Sequence, residues 1–161
     1  MNNSLDSIPD LVLSDVSTRS RWTQTAFSRD RILHFGARSL VALVFLVAGI
    51  GKLMAVQGTA AYIRSKGLPA APILAVAAAA LELTAGALVA AGTRVRVAAV
   101  ALAVFLVVVT AIFHNPLGLP PAEAQAQAQQ VFKNLAILGG LLLVAARAPV
   151  RERSRSVSDS L

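Results

Sequence analysis

The chain has 161 residues, 56% of them hydrophobic and only 14% charged, where a soluble domain carries about 25% charge. Its mean hydropathy is +0.67, and the apolar residues gather into long runs, which excludes an ordinary water-soluble fold and points to a small integral membrane protein. The net charge of +7 sits beside those runs with no nucleic-acid motif, so lipid headgroups are the expected partners and nucleic acid is not.

Residues 1–37 are polar, with Asp6, Asp10, Asp15 and Asp30 set against Arg19, Arg21, Arg29 and Arg31. A disordered cytoplasmic tail is expected there. The alternative is an interfacial helix built on Trp22, Phe27, Ile32, Leu33 and Phe35. A first span is expected over 39–56, opened by Arg38 and carrying Lys52 near its far end. A polar connection follows, broken by Gly67-Leu68-Pro69 and Pro72. The second span, 71–91, is rich in alanine and holds Glu82 at its middle. Gly92-Thr93-Arg94-Val95-Arg96 reads as a tight charged turn into a third span, 95–113, which ends beside His114 and Asn115. A connection with three prolines and an alanine–glutamine tract leads to the last span, 131–146, which begins with Lys133-Asn134. Residues 147–161 are basic and serine-rich, and disorder is expected there too.

Four spans with short connections define an all-α fold, an up-down-up-down membrane bundle within residues 38–146. Arg38, Arg94, Arg96 and the terminal arginines fall on one side, against Lys52, Arg64, Lys66 and Lys133 on the other. By the positive-inside bias the first set anchors the cytoplasmic face, and both termini are cytoplasmic.

Glu82 lies about 15 Å along its helix, near mid-bilayer, where a carboxyl cannot snorkel to water. Lys52 is one turn from the end of its span, so a Lys52–Glu82 contact is expected. The alternative is that Lys52 snorkels outward and Glu82 is uncharged and fills space. In an antiparallel bundle His114, Lys133 and Asn134 fall in the same half. Lys52, Glu82, His114, Lys133 and Asn134 are then expected to form one intramembrane polar cluster near the outer face. It would suit hydrogen bonding to quinone carbonyls or to a small anion.

Sharper motifs fail. Gly51-Lys52 lacks a phosphate-binding loop, with Leu46 in place of the first glycine and Leu53 in place of Ser/Thr. A bis-histidine haem would need His34 and His114 together, yet this topology puts them on opposite faces. Glu82 and His114 are too few for a metal site, so no metal is expected. The chain has no cysteine, which removes disulfides, dithiol relays and cysteine-ligated clusters.

A set of short motifs runs through the spans in order. They are Arg38, then Phe45-x-x-Ala48-Gly49-x-x-Lys52, Gly67-Leu68-Pro69, Leu81-Glu82-Leu83, Gly92-Thr93-Arg94, Phe113-His114 and Phe132-Lys133-Asn134-Leu135. Together they resemble the DoxX family over about Arg38 to Ala146. The resemblance implies a four-helix bacterial inner-membrane protein. Relatives include the small membrane subunit of thiosulfate:quinone oxidoreductase, and others are proposed to join membrane complexes against oxidative or thiol stress. The positions it carries over are Arg38, Lys52, Glu82, His114 and Asn134. The expected function is a subunit of, or accessory to, a membrane redox complex, with quinone as the cofactor to test and membrane or peripheral redox proteins as partners. A non-enzymatic scaffold and a small proton-coupled transporter, the latter needing oligomers, are the alternatives.

Overall fold

The structure, a computed structural model, describes the backbone of residues 10–148 and the side chains of residues 32–148. The described residues form five helices: α1 (Asp10–Met54), α2 (Val56–Ser65), α3 (Ala71–Ala91), α4 (Val95–Phe113) and α5 (Pro121–Arg147). No strand occurs among the described residues. Among the described residues, four segments are long and apolar enough to cross a membrane: Ile32–Met54, Ala71–Ala91, Val95–Phe113 and Pro121–Arg147. The chain divides into two compact units, Met1–Gly36 and Ala37–Leu161.

In the first unit the backbone is helical from Asp10 onward. No proline or glycine stands between Asp10 and Phe35 to stop a helix. Residues 1–9 lie outside the described residues, as do 149–161 of the expected C-terminal tail.

The second unit holds the bundle. α3 and α4 have the limits expected for the second and third spans, and the turn between them explains why. Gly92 takes φ +78, its N–H donates to the Val89 carbonyl at 3.2 Å, and the Thr93 N–H donates to the Leu88 carbonyl at 3.1 Å. That is a Schellman closure, which suits glycine because the left-handed conformation crowds a Cβ. A Cβ on Gly92 would also lie 2.7 Å from Arg38 Nη1. Gly92→Ala should therefore lower the thermal midpoint in detergent, by roughly 1–2 kcal/mol of left-handed strain before any shift of Arg38. An unchanged midpoint would show that the turn opens freely.

Helix extends beyond the expected spans in two places. The connection after the first span is helical over α2, because Val56, Ala60 and Ile63 recur on one face. Ala60 and Ile63 bury against Ala71 and Ala75 of α3, with Leu68 and Phe113 alongside. The break from α1 is a single residue, Ala55, at φ −128 and ψ 46. α5 also reaches beyond the expected span of 131–146, since it starts at Pro121. Proline is well placed in a first helical turn, and alanine and glutamine propagate helix well.

The core is built from small and aliphatic residues on four helices, among them Ala42, Val89, Ala99, Leu102 and Leu141, together with the aromatic Phe45. α1 runs antiparallel to α3, because Arg38 meets Gly92, Leu46 meets Gly86, and Gly49 meets Leu83 and Ala79. The opposite faces leave Leu40, Val47, Ile73, Val97, Val104 and Leu142 exposed. In water such a surface would be a liability, and in a bilayer it is the surface that lipid requires.

Candidate functional site

Lys52 and Glu82 form an ion pair between α1 and α3. Lys52 Nζ donates to Glu82 Oε2 at 2.7 Å and to Oε1 at 2.9 Å. Helical side chains lean toward their own N-terminus. In antiparallel helices the lysine therefore leans toward the middle of the bundle and the glutamate leans out to meet it, which bridges the difference in depth. Close backbone approach assists, since Gly49 sits one turn before Lys52 against Ala79 and Leu83. Only 6% of the Glu82 side chain is exposed, against 27% for Lys52, so the carboxylate depends on the lysine more than the reverse.

The other expected members of the cluster do not contact this pair. Asn134, buried on α5, donates from Nδ2 to Thr110 Oγ1 at 2.8 Å, and the Thr110 hydroxyl donates to the Leu106 carbonyl at 2.6 Å. His114 Nδ1 lies 3.0 Å from Gln127 Oε1, which ties the end of α4 to the first turns of α5. Lys133 is exposed and makes no hydrogen bond or ion pair among the described residues. Consecutive helical residues point about 100° apart, so Lys133 and Asn134 cannot serve one site. The expected single cluster is thus three separate polar contacts and an outward lysine. Thr110 and Gln127, which complete two of the contacts, gave little signal. One reads as the polar end of a span, and the other is lost in the alanine–glutamine tract.

At the far end of the same unit, the Arg38 guanidinium packs on Gly92, beside exposed Arg94 and Arg96. At the α2 end, the Tyr62 ring stacks at 5.3 Å from Phe113 and Lys66 Nζ lies 5.8 Å from the Tyr62 ring. No group of three or more metal-type ligands occurs among the described residues. Chemically, the distinctive asset is Lys52: an ammonium has three N–H donors, and two of them are used by Glu82.

Comparisons with known proteins agree with this architecture. The sequence model of the DoxX family matches residues 33–115, from the first span through His114 and Asn115. The Phe132–Leu135 motif lies beyond that match. The chain is also similar to the inner membrane protein YphA of Escherichia coli (strain K12), 29% identical over 113 residues, which cover 70% of this chain and 81% of that protein. No solved structure matches it. With its four apolar helices and a family match that takes in both Lys52 and Glu82, the chain is a multi-pass integral membrane protein that belongs to the DoxX family.

Proposed function

We propose that this chain is an accessory subunit of a redox complex in the bacterial inner membrane, with Lys52 as its polar contact to a quinone oxygen or a partner subunit. The observation that carries the reading is the partly exposed ammonium of Lys52. It is held in the membrane by Glu82, with its third N–H unused among the described residues. A group of that kind inside a span is costly to keep and is a functional candidate by default. Its donor suits a carbonyl oxygen, so the residues present fit a quinone. The likeness to an inner membrane protein supports the location. Arg38, Arg94 and Arg96 at one end support a cytoplasmic placement of that end and of both termini.

The test is what travels with the tagged protein from native membranes in mild detergent. Quinone or redox subunits are expected with the wild type and at several-fold lower yield with Lys52→Met. A wild-type preparation free of both overturns the reading. The close seats at Gly49 and Gly86 favour a second reading, a scaffold in which the ion pair only fixes helix packing. Lys52→Met/Glu82→Leu would then retain every partner. Proton flux in liposomes that vanishes with Glu82→Gln would replace both readings with transport.

A further inference from the structure

Between α4 and α5 the bundle has a pocket of about 190 Å³, walled by Leu106, Val107, Ala111, Leu135 and Leu138. Thr110 and Asn134 complete its lining. Asn134 is only 8% exposed, so the hydrogen bonding of its amide is tightly constrained. The Thr110 hydroxyl spends its proton on the Leu106 carbonyl, which leaves Thr110 Oγ1 able only to accept. The amide nitrogen of Asn134 must therefore face Thr110, as observed. Oδ1 is left over.

That oxygen accepts no hydrogen bond among the described residues, yet it is not among their fully enclosed unpaired atoms. Asn134 also lines the pocket, which is where a partner for that oxygen would come from. An unpaired amide acceptor at membrane depth is unfavourable, and lipid tails have no donor to offer it. The pocket asks for an apolar body carrying one hydroxyl. Its size suits a single ring, since an apolar cavity of about 150 Å³ can hold benzene.

We infer that the α4–α5 pocket is a binding site for a hydroxylated, membrane-soluble molecule, with the hydroxyl donating to Asn134 Oδ1. Two sources share this chemistry: the ring of a quinol and the free hydroxyl of a lipid alcohol. The site is separate from the Lys52–Glu82 pair and does not depend on the redox reading.

The experiment uses full-length protein in nanodiscs, with the side-chain amide resonances of Asn134 as readout. The probes are a decyl-substituted hydroquinone, its dimethyl ether and a dioctanoyl glycerol. The hydroquinone should shift the Asn134 resonances saturably and bind about tenfold tighter than the ether, the worth of one buried hydrogen bond. A comparable response to the glycerol alone would assign the site to a lipid alcohol and uphold the inference. Asn134→Leu, followed by the methyl resonances of Leu135 and Leu138 on the pocket wall, should erase the preference. Ala111→Leu, which fills the pocket and leaves the amide in place, should abolish saturable binding without lowering the thermal midpoint. Equal affinity for hydroquinone and ether overturns the inference. So does an Asn134 signal deaf to all three probes while Leu135→Cys cross-links between copies, which would give the pocket to a second chain.

Discussion

Lys52→Met is expected to be the most damaging single substitution in the second unit. It strands the Glu82 carboxylate where only 6% of the side chain is exposed, and stranding a buried charge costs roughly 3–5 kcal/mol. Glu82→Leu should cost less, roughly 1–2 kcal/mol, because Lys52 keeps a route to the interface along its flexible stem. The double variant Lys52→Met/Glu82→Leu should return to within about 1 kcal/mol of the wild type, since two apolar side chains of similar volume need no partner. Thermal midpoints in detergent for the four proteins give the coupling directly. If the double variant is as unstable as the two singles summed, the pair contributes no coupling and Lys52 and Glu82 act separately.

Gly49→Ala should destabilise the bundle, whereas Gly51→Ala should not. A Cβ at Gly49 would lie 2.8 Å from Leu83 Cγ and 3.2 Å from the Ala79 carbonyl oxygen, and one at Gly51 meets nothing within 4 Å. The carbonyl oxygen is backbone and cannot swing aside, so α1 and α3 must separate, at the roughly 1–3 kcal/mol typical of overpacking. Gly51→Ala relieves the poor helix propensity of glycine and should be neutral or raise stability by up to about 1 kcal/mol. Gly86→Ala is intermediate, because its nearest neighbours are the side-chain carbons of Leu46 at 3.2 and 3.3 Å. Because Gly49 lies one turn from Lys52, the same substitution should weaken partner retention along with stability. Equal effects at positions 49 and 51 would mean that α1 is not seated against α3 at Gly49.

The limits of helices α3 and α4 were legible in the sequence because strong local signals bound them: Pro72 at one start, and Gly92 with Arg94 at the turn between. The start of α1 was not legible. Residues 10–31 show polarity without a breaker, and polarity alone does not say whether a helix stops. α2 did leave a trace in Val56, Ala60 and Ile63, but Gly58 and the polar neighbours masked a helix of ten residues. At the candidate site, Lys52 and Glu82 could be paired from sequence because each needs an opposite charge in a poor solvent. The rotation of α4 and α5 about their axes could not be read that way. It alone decides that Asn134 meets Thr110, that His114 meets Gln127 and that Lys133 faces outward.

The lean of Lys52 and Glu82 toward each other also has a mechanical meaning. The two charges meet only when α1 and α3 hold one longitudinal register. Sliding by a single turn, about 5.4 Å, would part them and strand the Glu82 carboxylate in hydrocarbon. The pair therefore works as a detent between the two helices. When bilayer thickness changes, this part of the bundle can tilt as one body, but α1 and α3 cannot telescope past each other to follow it.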